Sequence, residues 1–208
     1  MSRHSPTPIS PRDITGVILA GGRGQRLGGV DKGLVPLRGR PLVEYVIEVL
    51  RPQVGQMLIS ANRNHETYAA YGVPVVADIV GEYYGPLAGM LAALRAAATE
   101  FILTVPCDSP APPPDLAARL GAVLAQARTD VCVVSVGGRL QPVFALLRRA
   151  CADRLQEYLA SGGREVGEWM RREHAAVADF SDQADAFANI NTAAELRRLE
   201  DEAGGKGR

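Results

Sequence analysis

From residue 19 to residue 33 the chain reads Leu-Ala-Gly-Gly-Arg-Gly-Gln-Arg-Leu-Gly-Gly-Val-Asp-Lys-Gly. Glycines let a backbone take positive φ and approach a ligand closely. Successive exposed amides form a nest for anions. Arg23, Arg26 and Lys32 add fixed positive charge. A phosphate chain is the natural guest. Two familiar phosphate loops do not fit. Gly24 and Gly29 have P-loop spacing, but Val30 follows where the lysine belongs. Gly22 and Gly24 begin a GxGxxG fingerprint, but Leu27 stands where the third glycine belongs. The stretch reads as a long phosphate-wrapping loop of another kind. A plain surface loop with solvated arginines would not explain why glycines and cations cluster directly after an apolar run.

Carboxylates and amides recur at comparable places. Asp108 follows the apolar run Phe101 to Val105, where a hard oxygen ligand can hold Mg2+ beside a nucleotide phosphate. A turn aspartate capping Ser109-Pro110 is the competing reading. Asp78 follows Val73 to Val76 in the same relation and could reach the nucleotide, or could simply start a loop. Gly85-Pro86 opens a helix whose first amides would point at the same region. Asn189 and Asn191 are two residues apart, so an extended segment would turn both amides the same way. Asn191 with Thr192 could equally cap the last helix. Cys107 has no histidine beside it, since the chain's histidines are His4, His65 and His174, and it reads as packing.

These residues must be carried by regular elements. Ile14 to Leu19 is an aliphatic strand, as are Met57 to Ser60, Val73 to Val76, Phe101 to Val105, Val131 to Val136 and Val143 to Leu147. Ala175 to Phe180 is a candidate last strand. Helical periodicity is carried by Leu42, Val46, Val49 and Leu50, with Pro41 in the first turn and Pro52 beyond the end. It recurs at Leu87, Leu91 and Leu94, and at Leu116, Leu120, Val123 and Leu124. Two more helical patterns cover Ala152 to Leu159 and Glu165 to Arg172. Thr192 and Glu195 form a capping box for a terminal helix. Strands alternating with helices predict an α/β fold with a parallel sheet covered on both faces. Ligands of such sheets bind beyond the carboxyl ends of the strands.

Composition sets the bounds. The chain has 208 residues, is 47% hydrophobic and carries 23 cations against 23 anions. That suits one globular domain with a full core. Zero net charge argues against a nucleic-acid partner held by bulk electrostatics. The longest apolar run, Leu87 to Leu94, is short of the roughly 18 residues that suggest a membrane span. Cys107, Cys132 and Cys151 show no CxxC spacing, which fits a reducing cytoplasmic location. Residues 1–13, with Pro6, Pro8 and Pro11, read as a loose arm rather than a signal peptide. The domain is expected over residues 14–200, with a glycine-rich tail at 201–208. Lysine occurs only at Lys32 and Lys206, so the domain's other cations are arginines.

Taken together, Leu-Ala-Gly-Gly-x-Gly-x-Arg at residues 19–26 resembles the nucleotidyltransferases that join an NTP to a phosphorylated acceptor. Arg26-Leu-Gly-Gly-Val-Asp-Lys-Gly-Leu34, Ser60-Ala-Asn-Arg63, Gly85-Pro-Leu-Ala-Gly-Met90, Pro106-Cys-Asp-Ser-Pro110 and Asn189-Ile-Asn-Thr192 resemble, more narrowly, the molybdenum cofactor guanylyltransferases. The resemblance covers about residues 14 to 200. It implies a single-domain Rossmann-like nucleotidyltransferase fold with a mostly parallel central sheet. It implies transfer of GMP from GTP to molybdenum-loaded molybdopterin, with release of diphosphate. Leu19, Ala20 and Gly21 would line the nucleotide, Gly22 and Arg26 would lie against phosphates, and Lys32 would bind them. Ser60 and Asp78 would contact the nucleotide. Asp108 would hold Mg2+. Gly85, Asn189 and Asn191 would sit near the acceptor. Arg26, Lys32 and Asp108 would carry catalysis. Protein partners implied are other molybdenum cofactor biosynthesis proteins and apo-molybdoenzyme chaperones, with no nucleic acid and no membrane. The family usually has Asn where this chain has Ser60, and some members have His-Pro at Gln141-Pro142. A CTP-dependent cytidylyltransferase on the same cofactor therefore stays open, as does a non-catalytic nucleotide-binding carrier of it.

Overall fold

The structure, a computed structural model, describes residues 8–21, 31–78, 85–190, 192 and 195–198. Strand β1 (Ile14–Leu19) is followed by a two-stranded ribbon, β2 (Pro36–Leu37) and β3 (Arg40–Pro41), and helix α1 (Leu42–Leu50). Then come β4 (Gln56–Ser60), α2 (His65–Ala69), β5 (Val75–Val76), α3 (Pro86–Ala96) and β6 (Phe101–Pro106). The second half runs α4 (Leu116–Gln126), β7 (Val131–Val136), β8 (Arg139–Arg148), α5 (Ala152–Ala160), α6 (Val166–Arg172) and β9 (Ala176–Asp179). A helical turn at 195–198 closes the described chain.

Among the described residues, seven strands form one sheet in the order β5-β4-β1-β6-β8-β7-β9. All pairings are parallel except those of β8 with β6 and β7. The expected mostly parallel α/β sheet is therefore present. Alternation along β1 sends Ile14 and Ile18 to one face and Val17 to the other. The first face packs on α1 (Val43, Val46, Leu50), Tyr68 and α4 (Leu116, Leu120, Leu124). The second packs on α3 (Leu87, Met90, Leu91), α5 (Leu155, Leu159) and Trp169 of α6. Gly16 lets α1 approach the sheet, because a Cβ there would stand 2.8 Å from Leu50 Cδ2. Among the described residues no helix is long and apolar enough to cross a membrane.

Several local expectations shift. The sixth strand begins at Arg139 rather than Val143 and runs antiparallel, as the return arm of a hairpin. Gly137 and Gly138, at φ 54° and 76°, make the tight turn that suits right-twisted strands. Pro142 lies inside β8, and the β7–β8 register slips between Val133, opposite Ala145, and Val134, opposite Gln141. That bulge removes the need for the N–H that proline lacks. The Val143 carbonyl accepts from Thr104 Oγ1 at 2.8 Å. Pro41 caps α1 from outside rather than sitting in its first turn, and Pro52 lies in a 3-10 turn after the helix. The third strand shortens to Val75–Val76, with Pro74 offering only its carbonyl to Ile59 N. Helix α2 has no counterpart in the sequence reading. The capping box forms in both directions: Thr192 N donates to Glu195 Oε2 at 2.8 Å, and Glu195 N to Thr192 Oγ1 at 3.2 Å.

Candidate active site

The chain leaves β1 toward β4 and leaves β6 the other way, toward β8 and β7. Connections that diverge from neighbouring strands leave a crevice over the carboxyl ends. Strand register aligns those ends. Leu19 lies opposite Ser60 on one side and Pro106 on the other, and Ser60 lies opposite Val76. The ladder continues one step further through Ala20 N to Ser60 O (2.8 Å), Cys107 N to Leu19 O (3.1 Å) and Ala61 N to Val76 O (3.0 Å). Gly21, Asn62, Asp78 and Asp108 therefore emerge at one edge, on strands about 4.8 Å apart.

Lys32 Nζ lies 2.8 Å from Asp108 Oδ2, and the two side chains are 23% and 11% exposed. A cation and a carboxylate separated by 76 positions in sequence thus meet at the crevice. Asp31 does not join them. It is buried and its oxygens point the other way. Oδ1 accepts from Tyr68 Oη at 2.5 Å and Gly33 N at 3.3 Å. Oδ2 accepts from Asn64 Nδ2 at 3.0 Å, with Arg63 Nε at 3.9 Å.

Beside β6, Ser109 Oγ bonds Asn189 Oδ1 and Ile190 N donates to the Asp108 carbonyl at 2.8 Å. Asn189 is thereby held next to Asp108. Ile190 packs with Val35, Leu37 and Leu42, which pins this segment over the loop that carries Lys32.

On the other flank, Asn62 clasps Asp78. Its Nδ2 donates to Asp78 Oδ2 at 2.7 Å and its Oδ1 accepts from Asp78 N at 2.9 Å. Burial pushes the Asp78 carboxyl above its ordinary pKa, and the Asn62 amide opposes that shift. Ser60 is 1% exposed and lies under Gly89 of α3, where a Cβ would stand 2.4 Å from its Oγ. Gly85 precedes α3 at φ 69°, ψ −160°, a conformation suited to glycine.

Of the residues expected from sequence, Leu19, Ala20, Gly21, Lys32, Ser60, Asp78, Gly85, Asp108 and Asn189 stand on the elements just described. Gly22, Arg26 and Asn191 lie outside the described residues. Asn62, Ser109 and the Asp31–Tyr68 pair were not anticipated as parts of the site. Their signals were present: Asn62 is two residues past Ser60, and Asp31 and Ser109 adjoin Lys32 and Asp108. Cys107 is buried, and burial raises its thiol pKa well above the usual range, which agrees with a packing role. Among the described residues no three His, Cys, Asp or Glu side chains converge as a metal cluster. Asp108 offers a single carboxylate, a donor set that suits Mg2+ when substrate phosphates supply the other oxygens.

The chain matches the family described as MobA-like NTP transferase domain over residues 16–177. A molybdenum cofactor guanylyltransferase of Ralstonia nicotianae is 50% identical over 200 residues, spanning 92% of this chain and 98% of the relative. One from Acidovorax sp. is 45% identical over 205 residues, spanning 92% and 97%. In structure, the molybdopterin-guanine dinucleotide biosynthesis protein A of Archaeoglobus fulgidus superposes with a TM-score of 0.76 at 24% identity, covering 92% of this chain and 99% of that one. The 4-diphosphocytidyl-2C-methyl-D-erythritol synthase of Anaerococcus prevotii shares the fold at a TM-score of 0.71 and 12% identity, covering 93% and 97%. With its family matched over most of its length and its relatives near half identity, the chain belongs to the MobA-like NTP transferases and is a nucleotidyltransferase.

Proposed function

We propose that this enzyme transfers GMP from GTP to the terminal phosphate of molybdenum-loaded molybdopterin and releases diphosphate. The observation that carries this reading is the Lys32–Asp108 pair at the carboxyl edge of β1 and β6. The relatives' names supply the substrates. The acceptor phosphate oxygen attacks the α-phosphorus of GTP, and the bond to the bridging oxygen of diphosphate breaks. The attacking group is already an anion, so no strong general base is needed. The difficulty is to hold two polyanions together, which calls for positioning and fixed positive charge.

Lys32 supplies the compact charge for the phosphates, with Gly22 and Arg26 of the glycine-rich loop as further candidates. Backbone groups of Leu19, Ala20 and Gly21 line the nucleotide, with Ser60 and Asp78 beside them. Asn189, Asn191 and Gly85 would serve the acceptor. Asp108 would hold Mg2+; when bound, the ion offsets charge on the transferred phosphoryl group and the departing diphosphate. Buried free thiols suit a cytoplasmic enzyme.

Diphosphate release from GTP with loaded molybdopterin is the direct test. Asp108→Ala should lower turnover at least about tenfold at saturating GTP and Mg2+. Lys32→Arg should also impair it, because a planar fork does not replace a point charge among crowded phosphates. Ser60 keeps a cytidylyltransferase in view, so CTP is the competitor to include. Preference for CTP would replace guanine by cytosine. GTP binding without diphosphate release would mark a carrier.

A further inference from the structure

Tyr68 is 0% exposed, with its ring in the core beneath the sheet, yet its hydroxyl reaches out of that core to Asp31. A buried carboxylate is costly unless donors surround it. Asp31 has the phenol, the Gly33 amide and the Asn64 amide, with the Arg63 guanidinium beyond. Gly33 closes the arrangement from the other side. A Cβ there would stand 2.5 Å from Tyr68 Oη and 3.2 Å from Cys107 Cβ. The turn Asp31-Lys32-Gly33 is thus clamped on both flanks of Lys32, and its backbone closes through Leu34 N to Asp31 O at 3.0 Å. A lysine side chain is long and flexible, so its ammonium is placed only as well as its Cα.

We propose that Tyr68, assisted by Asn64, is a positioning residue for Lys32. The phenol–carboxylate bond sets the Asp31–Gly33 turn, and through it holds the ammonium against Asp108 and the phosphates that enter there. The inference rests on reading Lys32 as the phosphate-binding cation.

Tyr68→Phe removes one oxygen and keeps the ring in the core. It should lower kcat/KM for the nucleotide about tenfold. In a Lys32→Ala background the same change should cost less than about twofold, because the group it positions is gone. Asn64→Gly provides a second route if Tyr68→Phe does not fold. It keeps the left-handed backbone found there (φ 55°) and deletes the amide donor. A smaller loss with the same coupling to Lys32 is expected. Wild-type kcat/KM in both variants, or equal losses with and without Lys32, would overturn the positioning role. The second pattern is what a purely structural tyrosine would produce. Full activity of Lys32→Ala alone would remove Lys32 from the proposed site, and the positioning role with it. Impaired Lys32→Ala without coupling to Tyr68 would fault this inference and leave the proposed site standing.

Discussion

Alanine at Gly89 sets two effects of opposite sign against each other. In an unconstrained helix interior, Gly→Ala stabilises by about 1 kcal/mol. Here the added Cβ would stand 2.4 Å from Ser60 Oγ, 3.1 Å from Leu19 Cδ2 and 3.3 Å from Ser60 Cβ. The leucine methyl can swing aside. The serine oxygen has less freedom, because Ser60 is buried and its strand is paired on both sides. Overpacking of this kind costs about 1–3 kcal/mol. Set against the helix gain, the steric term should leave a net loss of up to about 2 kcal/mol and a Tm lowered by up to about 8 °C for a domain of this size. Urea unfolding and thermal melts measure both. Ser60→Ala removes the closest contact and leaves the strand residue otherwise intact. In that background Gly89→Ala should be neutral or stabilising, a coupling of about 1–3 kcal/mol between the two positions. If Gly89→Ala stabilises the unmodified chain, or costs the same in both backgrounds, the close packing of α3 on Ser60 is wrong.

Asn62→Ala removes the amide that opposes the burial-driven rise of the Asp78 pKa, so that carboxyl should titrate higher still, as followed by carbon NMR of the side chain. A carboxyl whose pKa is raised by folding lends stability at low pH that fades as pH rises through the folded value. The variant should therefore lose more stability between acid and neutral pH, and an unchanged Asp78 titration would contradict the clasp. Cys107, Cys132 and Cys151 are all buried with raised thiol pKa values, the last two pushed up to about 12. A disulfide reagent at pH 8 should label them slowly in the native protein and fully after denaturation, whereas fast native labelling would contradict their burial.

Much of the fold was legible because its signals are local. Aliphatic runs marked the strands of the parallel core. Helical periodicity marked α1, α3 and α4. Thr192 and Glu195 announced a cap that forms in both directions. The hairpin of β7 and β8 was not read from the sequence, which marked Val143 to Leu147 as a separate strand after Pro142, although Gly137-Gly138 between two apolar runs carries a turn signal. Only a register slip, with Thr104 taking the free carbonyl, makes that proline tolerable. Helix α2 was not legible, because five residues are too few to show a period.

By itself, the sequence determined that cations, glycines and carboxylates follow strands, because each lies a fixed few residues from an apolar run. It also carried the family resemblance, in motifs of adjacent residues. Only the tertiary structure decided which of these groups meet. Strand order sets β6 beside β1, and that order places Asp108 within 2.8 Å of Lys32. The packing of α2 under the sheet directs the Tyr68 hydroxyl to Asp31, so neighbouring residues 31 and 32 serve different ends: one is an anchor and the other a reaching charge. Chain neighbours share a backbone, but the partner of each side chain is set by elements far away in sequence.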